Sequence, residues 1–110
     1  QADEEFLTLL MNHTEACWTN TDLHVNDFCK SIGCSKSQLY RKLMSLTGES
    51  LNSFIKEYRL NRALLLLSRL DGNVSEIAYE TGFSSPSYFS KCFQKRFEQS
   101  PSDWLATHAG

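Results

Sequence analysis

Apolar residues recur three or four positions apart along almost the whole chain, and no stretch alternates between apolar and polar residues for long enough to predict a strand. Only two prolines and five glycines interrupt this spacing. A repeat of three to four residues is typical of amphipathic helices, which bury one face and expose the other. The pattern therefore predicts an all-α protein.

Capping residues divide the chain into about seven predicted helices. Ser35 followed by Gln38 has the pattern of a capping box, and Ser85-Pro86 pairs an N-cap with a proline at the first helical position. The turn at 71–73 ends the longest helix. The predicted segments are about 3–19, 26–32, 35–47, 50–69, 73–82, 85–98 and a short final helix that begins after Ser100-Pro101.

Helical spacing also predicts which side chains form the core. The candidates in the first, third and sixth helices are, in that order, Phe6, Leu7, Leu10, Met11, Ala16 and Cys17; Leu39, Leu43 and Leu46; and Phe89, Phe93 and Phe97.

The chain contains one short motif twice. Segments 25–33 and 74–82 both have valine first, an acid third, a large apolar residue fourth, a small residue fifth and glycine ninth. After the glycine the second copy gains one residue, and the alignment continues at an offset of 50 through the pairs Ser37 and Ser87, Leu39 and Phe89, Arg41 and Lys91, and Leu43 and Phe93.

A helix-turn-helix accounts for this spacing. Two short helices that cross steeply need a small residue at their contact, which Cys29 and Ala78 supply, and the tight turn needs glycine, which Gly33 and Gly82 supply. The sequence thus predicts two helix-turn-helix subdomains joined by a long central helix.

The second copy, residues 77–83, followed by Ser87-Tyr88-Phe89, Phe93, Phe97 and Ser100-Pro101, resembles the AraC/XylS class of bacterial transcription regulators. The resemblance covers about residues 5–108. It implies one DNA-binding unit, with the first helix-turn-helix in 1–49, a linker helix in 50–70 and the second helix-turn-helix in 71–110. A glycine that is common in the family before the Ser-Pro turn is replaced here, by Gln99 in this alignment.

Residues 37–43 with Thr47-Gly48 most resemble the output domains of hybrid two-component regulators. This narrower resemblance implies sensor or receiver domains upstream in a longer protein. It also implies a transcription regulator, an activator or a repressor, whose partners are double-stranded DNA and RNA polymerase. The few cysteines favour a reduced, cytoplasmic protein.

The distribution of charge changes the meaning of the net value of −2. Residues 1–34 carry a net −5, residues 35–69 a net +5 and residues 70–110 a net −2, and neither 35–48 nor 85–97 contains an acid. A near-neutral total argues against a nucleic-acid binder only when the charge is evenly spread. The two proposed recognition helices, 35–47 and 85–98, have basic outward faces.

Arg41 is the strongest candidate for reading bases, because its planar fork can bind guanine O6 and N7 in a major groove. Lys91 is its equivalent but lacks the fork, so the second helix is expected to discriminate less. The predicted base-reading residues are Ser37, Tyr40, Arg41, Ser87, Ser90 and Lys91, with Met44 also facing outward. The predicted phosphate contacts are Lys36, Lys42, Lys95 and Arg96.

The length of the central helix predicts the distance between the two recognition helices. About 20 residues span roughly 30 Å, close to the 34 Å of one DNA turn, so both helices can enter successive major grooves. Lys56, Arg59 and Arg62 on this helix either touch the DNA backbone or only keep the helix soluble.

Other chemistry finds little support. His13 and Cys17 lie four positions apart but form no complete metal site. The four cysteines show no CxxC motif and are interpreted as reduced structural thiols. No catalytic motif is present in the sequence. We therefore expect no enzyme, no metal and no cofactor. No apolar run approaches the roughly 18 residues of a membrane span, so no membrane contact by this domain is expected. The alternative function is a helical protein-interaction module that does not read DNA, served by the acidic first helix.

Overall fold

The computed structural model describes residues 2–69 and 73–108. Within these ranges the chain forms seven helices and no strand, which confirms the predicted all-α class. The predicted end of the long helix at residues 71 and 72 lies outside the described residues. In chain order the helices are α1 (Ala2–Cys17), α2 (Val25–Ile32), α3 (Lys36–Thr47), α4 (Leu51–Ser68), α5 (Val74–Glu80), α6 (Pro86–Phe97) and α7 (Pro101–His108). Across the described ranges, no helix combines the length and the apolar character needed to cross a bilayer.

The chain divides into two compact units, residues 1–56 and 57–110. The core of unit 1 is built from α1, α2, α3 and the first turns of α4. Its buried residues are Phe6, Leu10, Phe28, Leu39, Leu43, Leu51 and Ile55.

Two of the core predictions for unit 1, those for Ala16 and Leu46, are wrong. Ala16 is exposed, because the buried face of α1 runs through Phe6, Leu10 and Thr14 and the helix ends one residue later. Leu46 is 37% exposed, because the core reaches only the first two turns of α3 and the last turn carries Leu46 beyond it.

The core of unit 2 is dominated by aromatic rings. The Phe83, Phe89, Phe93 and Phe97 rings form a continuous series with successive centroids 5.1, 5.7 and 4.6 Å apart, which suits the edge-to-face contacts that aromatic pairs favour. From α4 the buried residues are Leu60, Ala63 and Leu67, and from α5 they are Ile77 and Ala78. These contacts hold α5 and α6 in place.

A left-handed residue directly follows three of the described helices, α2, α3 and α6. Gly33 after α2 and Gly48 after α3 have φ values of 79° and 74°, which glycine adopts without a steric penalty. After α6 the left-handed residue is Glu98, with φ 62°. The structure therefore corrects the expectation about Gln99, because the position that favours glycine is Glu98, one residue earlier.

Candidate nucleic-acid interface

The turns of the two helix-turn-helix motifs share one backbone hydrogen bond. The Cys34 N–H donates to the Cys29 carbonyl at 3.1 Å, and in unit 2 the Phe83 N–H donates to the Ala78 carbonyl at the same distance. Each bond spans a glycine of positive φ, as in the Schellman motif that ends many helices. The repeat seen in the sequence is thus a repeat of backbone structure.

Each second helix begins at a serine cap. The Ser35 side chain accepts a hydrogen bond from the Gln38 backbone N–H, while the Gln38 side chain accepts one from the Ser35 N–H at 2.9 Å, which confirms the predicted capping box. Ser85 accepts from the Tyr88 N–H at 3.1 Å and precedes Pro86. Because Gln38 turns back on its own helix, its side chain is engaged at the cap.

The inner faces of α3 and α6 are equivalent. Leu39 and Leu43 are fully buried in α3, and their counterparts Phe89 and Phe93 are fully buried in α6. Since both helices have 12 residues, burial of these pairs turns the remaining faces of both helices outward in the same register.

The predicted base-reading residues lie on these outward faces. Ser37, Tyr40 and Arg41 of α3 are exposed, Tyr40 to 42%. On α6, Ser87 and Lys91 are exposed, while Ser90 is half-buried. Arg41 and Lys91 therefore occupy matching exposed positions, one with a planar fork and one with a point charge.

Two exposed apolar side chains extend the same faces. Met44 is 53% exposed on α3, which confirms that it faces outward. Tyr88 is 47% exposed on α6 and was missed by sequence reasoning, although its place between Ser87 and Phe89 is a usable signal. A hydrogen bond to Cys92, the charge interaction with that thiol and partial burial raise the pKa of Tyr88.

The predicted phosphate contacts divide into two kinds. Lys36 and Lys95 are exposed. Lys42 faces Asp3 of α1, with Nζ 3.8 Å from Oδ1, and Arg96 donates from Nε to Oε1 of Glu57 at 2.6 Å. Sequence reasoning missed both acids, because Asp3 and Glu57 lie 39 residues from their partners along the chain.

The basic residues of α4 differ in exposure. Lys56 is half-buried, and Arg62 donates from Nη2 to the Tyr58 hydroxyl at 3.0 Å with Cζ 5.3 Å from that ring. This contact gives Arg62 a structural role within its own helix.

An open cleft of ≈ 670 Å³ lies in unit 1 between the start of α1 and the start of α3. Asp3 and Glu5 line one side, and Arg41 and Lys42 line the other.

Residues 2–69 and 73–108 contain no group of three or more His, Cys, Asp or Glu side chains that could hold a metal ion. The chemistry of this surface is that of hydrogen bonding and charge.

Comparison with known proteins agrees with this geometry. A family model described as "Helix-turn-helix domain" matches residues 28–107. Histidine kinase P4 from Formosa agariphila is 40% identical over 102 residues, which are 93% of this chain and 7% of that protein. The chain also spans 51% of a transcriptional regulator from Pseudoalteromonas carrageenovora, to which it is 33% identical over 86 residues, so it is shorter than either relative.

Solved structures share the fold. A transcriptional regulator with an AraC-type DNA-binding domain from Chromobacterium violaceum has a TM-score of 0.88 at 29% identity, over 96% of this chain and 94% of that chain. The DNA-binding domain of AdpA, solved with a target DNA, has a TM-score of 0.83 at 23% identity, over 94% and 91% of the two chains. The duplicated helix-turn-helix geometry and the matched family model show that the chain belongs to the AraC-type helix-turn-helix family of DNA-binding transcription regulators.

Proposed function

We propose that this domain binds double-stranded DNA in a sequence-specific manner, with α3 and α6 entering successive major grooves, as part of a bacterial transcription activator in the cytoplasm. The observation that carries the proposal is the matched exposure of Arg41 and Lys91 on two helices that have the same length and each begin at a serine cap. An α-helix fits the major groove, where base edges present distinct donor and acceptor patterns.

The two helices differ in what they can distinguish. Arg41 can donate two parallel hydrogen bonds to one guanine, whereas Lys91 offers a single charged group that any acceptor satisfies. The half-site read by α3 is therefore the better defined of the two. Lys36, Lys42, Lys95 and Arg96 supply phosphate contacts, which position the domain without reading sequence.

The domain acts within a longer regulator. Its similarity to a histidine kinase of which it spans 7% supports a hybrid two-component protein with sensor and receiver domains upstream. The acids in the first turn of α1, Asp3, Glu4 and Glu5, offer a charged surface for RNA polymerase or for one of those domains.

Salt-dependent DNA binding tests the proposal. Operator sequences are first selected from random duplexes, and affinity is then measured for the selected and a scrambled duplex at several salt concentrations. We expect steep salt dependence on both duplexes, because phosphate contacts release counterions. Arg41→Ala should reduce the preference for the selected duplex by about 1–3 kcal/mol, the value of one bidentate base contact.

Lys30→Ala is the matched control, since Lys30 is an exposed base on α2 outside both outward faces. It removes the same charge and should leave the preference unchanged. The alternative function, a helical module that binds protein only, predicts no binding to either duplex even at low salt by the folded domain.

A further inference from the structure

A pair of cysteines lies at the turn between α2 and α3. The Gly33 and Cys34 N–H groups both donate to the carbonyl of Cys29, at 2.8 and 3.1 Å. In this helix-ending motif, the residue after the left-handed glycine packs its side chain against the residue five positions earlier. In unit 2 those two places hold Ala78 and Phe83, so the contact is apolar there. In unit 1 both places hold a thiol.

The backbone brings the two cysteines within bridging distance. An N···O distance of 3.1 Å, added to standard bond lengths and angles, limits the separation of their Cα atoms to about 7 Å. Disulfides usually join Cα atoms about 4.4–6.8 Å apart. Burial, the neighbouring Cys29 and a hydrogen bond between the two thiols raise the pKa of Cys34, while the charge of Lys42 lowers it.

Reagents can reach this pair from solvent. Cys34 is half-buried and lines the ≈ 670 Å³ cleft beside Lys42. The other two cysteines are placed differently, since Cys17 donates to the His13 carbonyl at 3.0 Å and Cys92 is buried. Cys29 and Cys34 are therefore the thiols best placed to react together.

We propose that Cys29 and Cys34 are a modification site at which a hydroperoxide forms an intramolecular disulfide that weakens DNA binding by α3. One thiolate attacks the peroxide O–O bond and becomes a sulfenic acid, and the leaving oxygen departs as water after taking a proton. The second sulfur then displaces the sulfenic hydroxyl, which departs as the second water. Two thiols and one hydrogen peroxide thus give one disulfide and two waters, and a small dithiol reverses the change.

The position of the pair explains the effect on DNA. Cys34 directly precedes Ser35, whose side chain caps α3. A disulfide of about 2.05 Å is much shorter than a contact between unbonded sulfurs, so closing it pulls Cys34 and shifts the start of α3. This second part rests on the proposed function, whereas formation of the disulfide does not.

Peptide mapping and DNA binding together test the proposal. The folded protein is treated with hydrogen peroxide, digested with trypsin, which cuts after Lys30 and Lys36, and analysed by mass spectrometry. We expect peptide 1–30 linked to peptide 31–36 with the loss of two hydrogens, and fragmentation should place the link at Cys29 rather than Cys17. The oxidised protein should bind its selected duplex at least threefold more weakly, with full recovery in dithiothreitol.

Cys34→Ser and Cys29→Ala should each keep the affinity of the reduced protein and lose its response to peroxide. Absence of the Cys29–Cys34 link after oxidation would overturn the proposal, and so would a linked, folded protein with unchanged affinity. Failure of the reduced protein to bind DNA at all would instead overturn the proposed function, while the peptide map still decides whether the disulfide forms.

Discussion

Lys42 Nζ lies 3.8 Å from Asp3 Oδ1 and 5.5 Å from the centroid of the Phe6 ring, so the first two turns of α1 supply both partners of a lysine on α3. The side chains of Lys42 and Asp3 are 44% and 61% exposed. Exposed ion pairs of this kind stabilise a protein by at most about 1 kcal/mol. A DNA phosphate can therefore displace Asp3, but it must compete with it.

Removing that competition should strengthen DNA binding. We expect Asp3→Asn to raise affinity two- to fivefold on selected and scrambled duplexes alike, because Lys42 then meets a phosphate without first losing a carboxylate. The slope of log affinity against log salt should steepen by up to about 0.9, the value of one phosphate contact. Glu15→Gln, an equal charge change at an exposed position farther along α1, is the control. An equal gain in that variant would attribute the effect to net charge rather than to the pair.

The ion pair between Arg96 and Glu57 should favour DNA binding, whereas the pair between Lys42 and Asp3 should oppose it. Arg96 is held by Glu57 at 2.6 Å and by the Phe97 ring, whose centroid lies 4.9 Å from Cζ. One of the five N–H donors of the guanidinium is used by Glu57, which leaves the terminal nitrogens for a phosphate. We expect Glu57→Ala to weaken DNA binding at least threefold and Glu57→Gln to weaken it less, because an amide oxygen still accepts from Nε.

A double-mutant cycle isolates this effect. In an Arg96→Ala background, Glu57→Ala should cause no further loss of affinity if Glu57 acts through Arg96. Tighter binding by the Glu57→Ala protein would identify Glu57 as a competitor for Arg96 and would contradict the prediction.

The ends of α3 and α6 predict opposite changes in stability. Glu98 and Gly48 occupy equivalent left-handed positions, and that conformation costs a residue with a Cβ about 1–2 kcal/mol. Glu98→Gly should therefore raise the free energy of unfolding by about 1 kcal/mol, and Gly48→Ala should lower it by a similar amount. No atom lies within 4 Å of a Cβ at Gly48, so the backbone alone accounts for its loss.

Urea unfolding followed by circular dichroism measures both changes. Glu98→Gln serves as the control, because it removes an unfavourable acid from the end of α6 and keeps the side chain. A gain in Glu98→Gln as large as that in Glu98→Gly would assign the effect to charge instead of to backbone conformation.

The Tyr88 hydroxyl should lose its proton at a higher pH than an ordinary tyrosine does. Its hydrogen bond and charge interaction with Cys92, together with partial burial, raise its pKa above the ordinary value of 10.0, so the folded state favours the neutral phenol. The resulting contribution to stability is present below pH 10 and is lost as the pH rises through the folded-state pKa. An ultraviolet absorbance titration should show one late phenolate that disappears in Tyr88→Phe. Persistence of the late step in that variant would assign it to another tyrosine.

Local patterns in the sequence predicted the helices and the turns. Ser35 with Gln38 marked a cap that the structure contains, and the paired glycines marked turns that have one backbone hydrogen bond in common. These features depend on residues a few positions apart, which a sequence displays directly.

What the sequence did not predict depends on distant contacts. Leu46 has the spacing of a core residue, but its burial depends on where the core ends. The partners of Lys42 and Arg96 lie 39 positions away, and no periodic pattern marks them. The base-reading roles of Ser37, Tyr40, Arg41, Ser87, Ser90 and Lys91 stay predictions, since exposure alone does not assign a partner.

Each unit has its own buried cluster, so a substitution that destabilises the packing of α6 need not destabilise the packing of α3. A destabilising substitution behind α6 acts first on the phenylalanine contacts of unit 2, which belong to a different cluster from the leucines behind α3. If α3 and α6 each bind one half-site, as proposed, substitutions on one helix can change the preference for its half-site while the contacts of the other helix keep the protein on its original promoter.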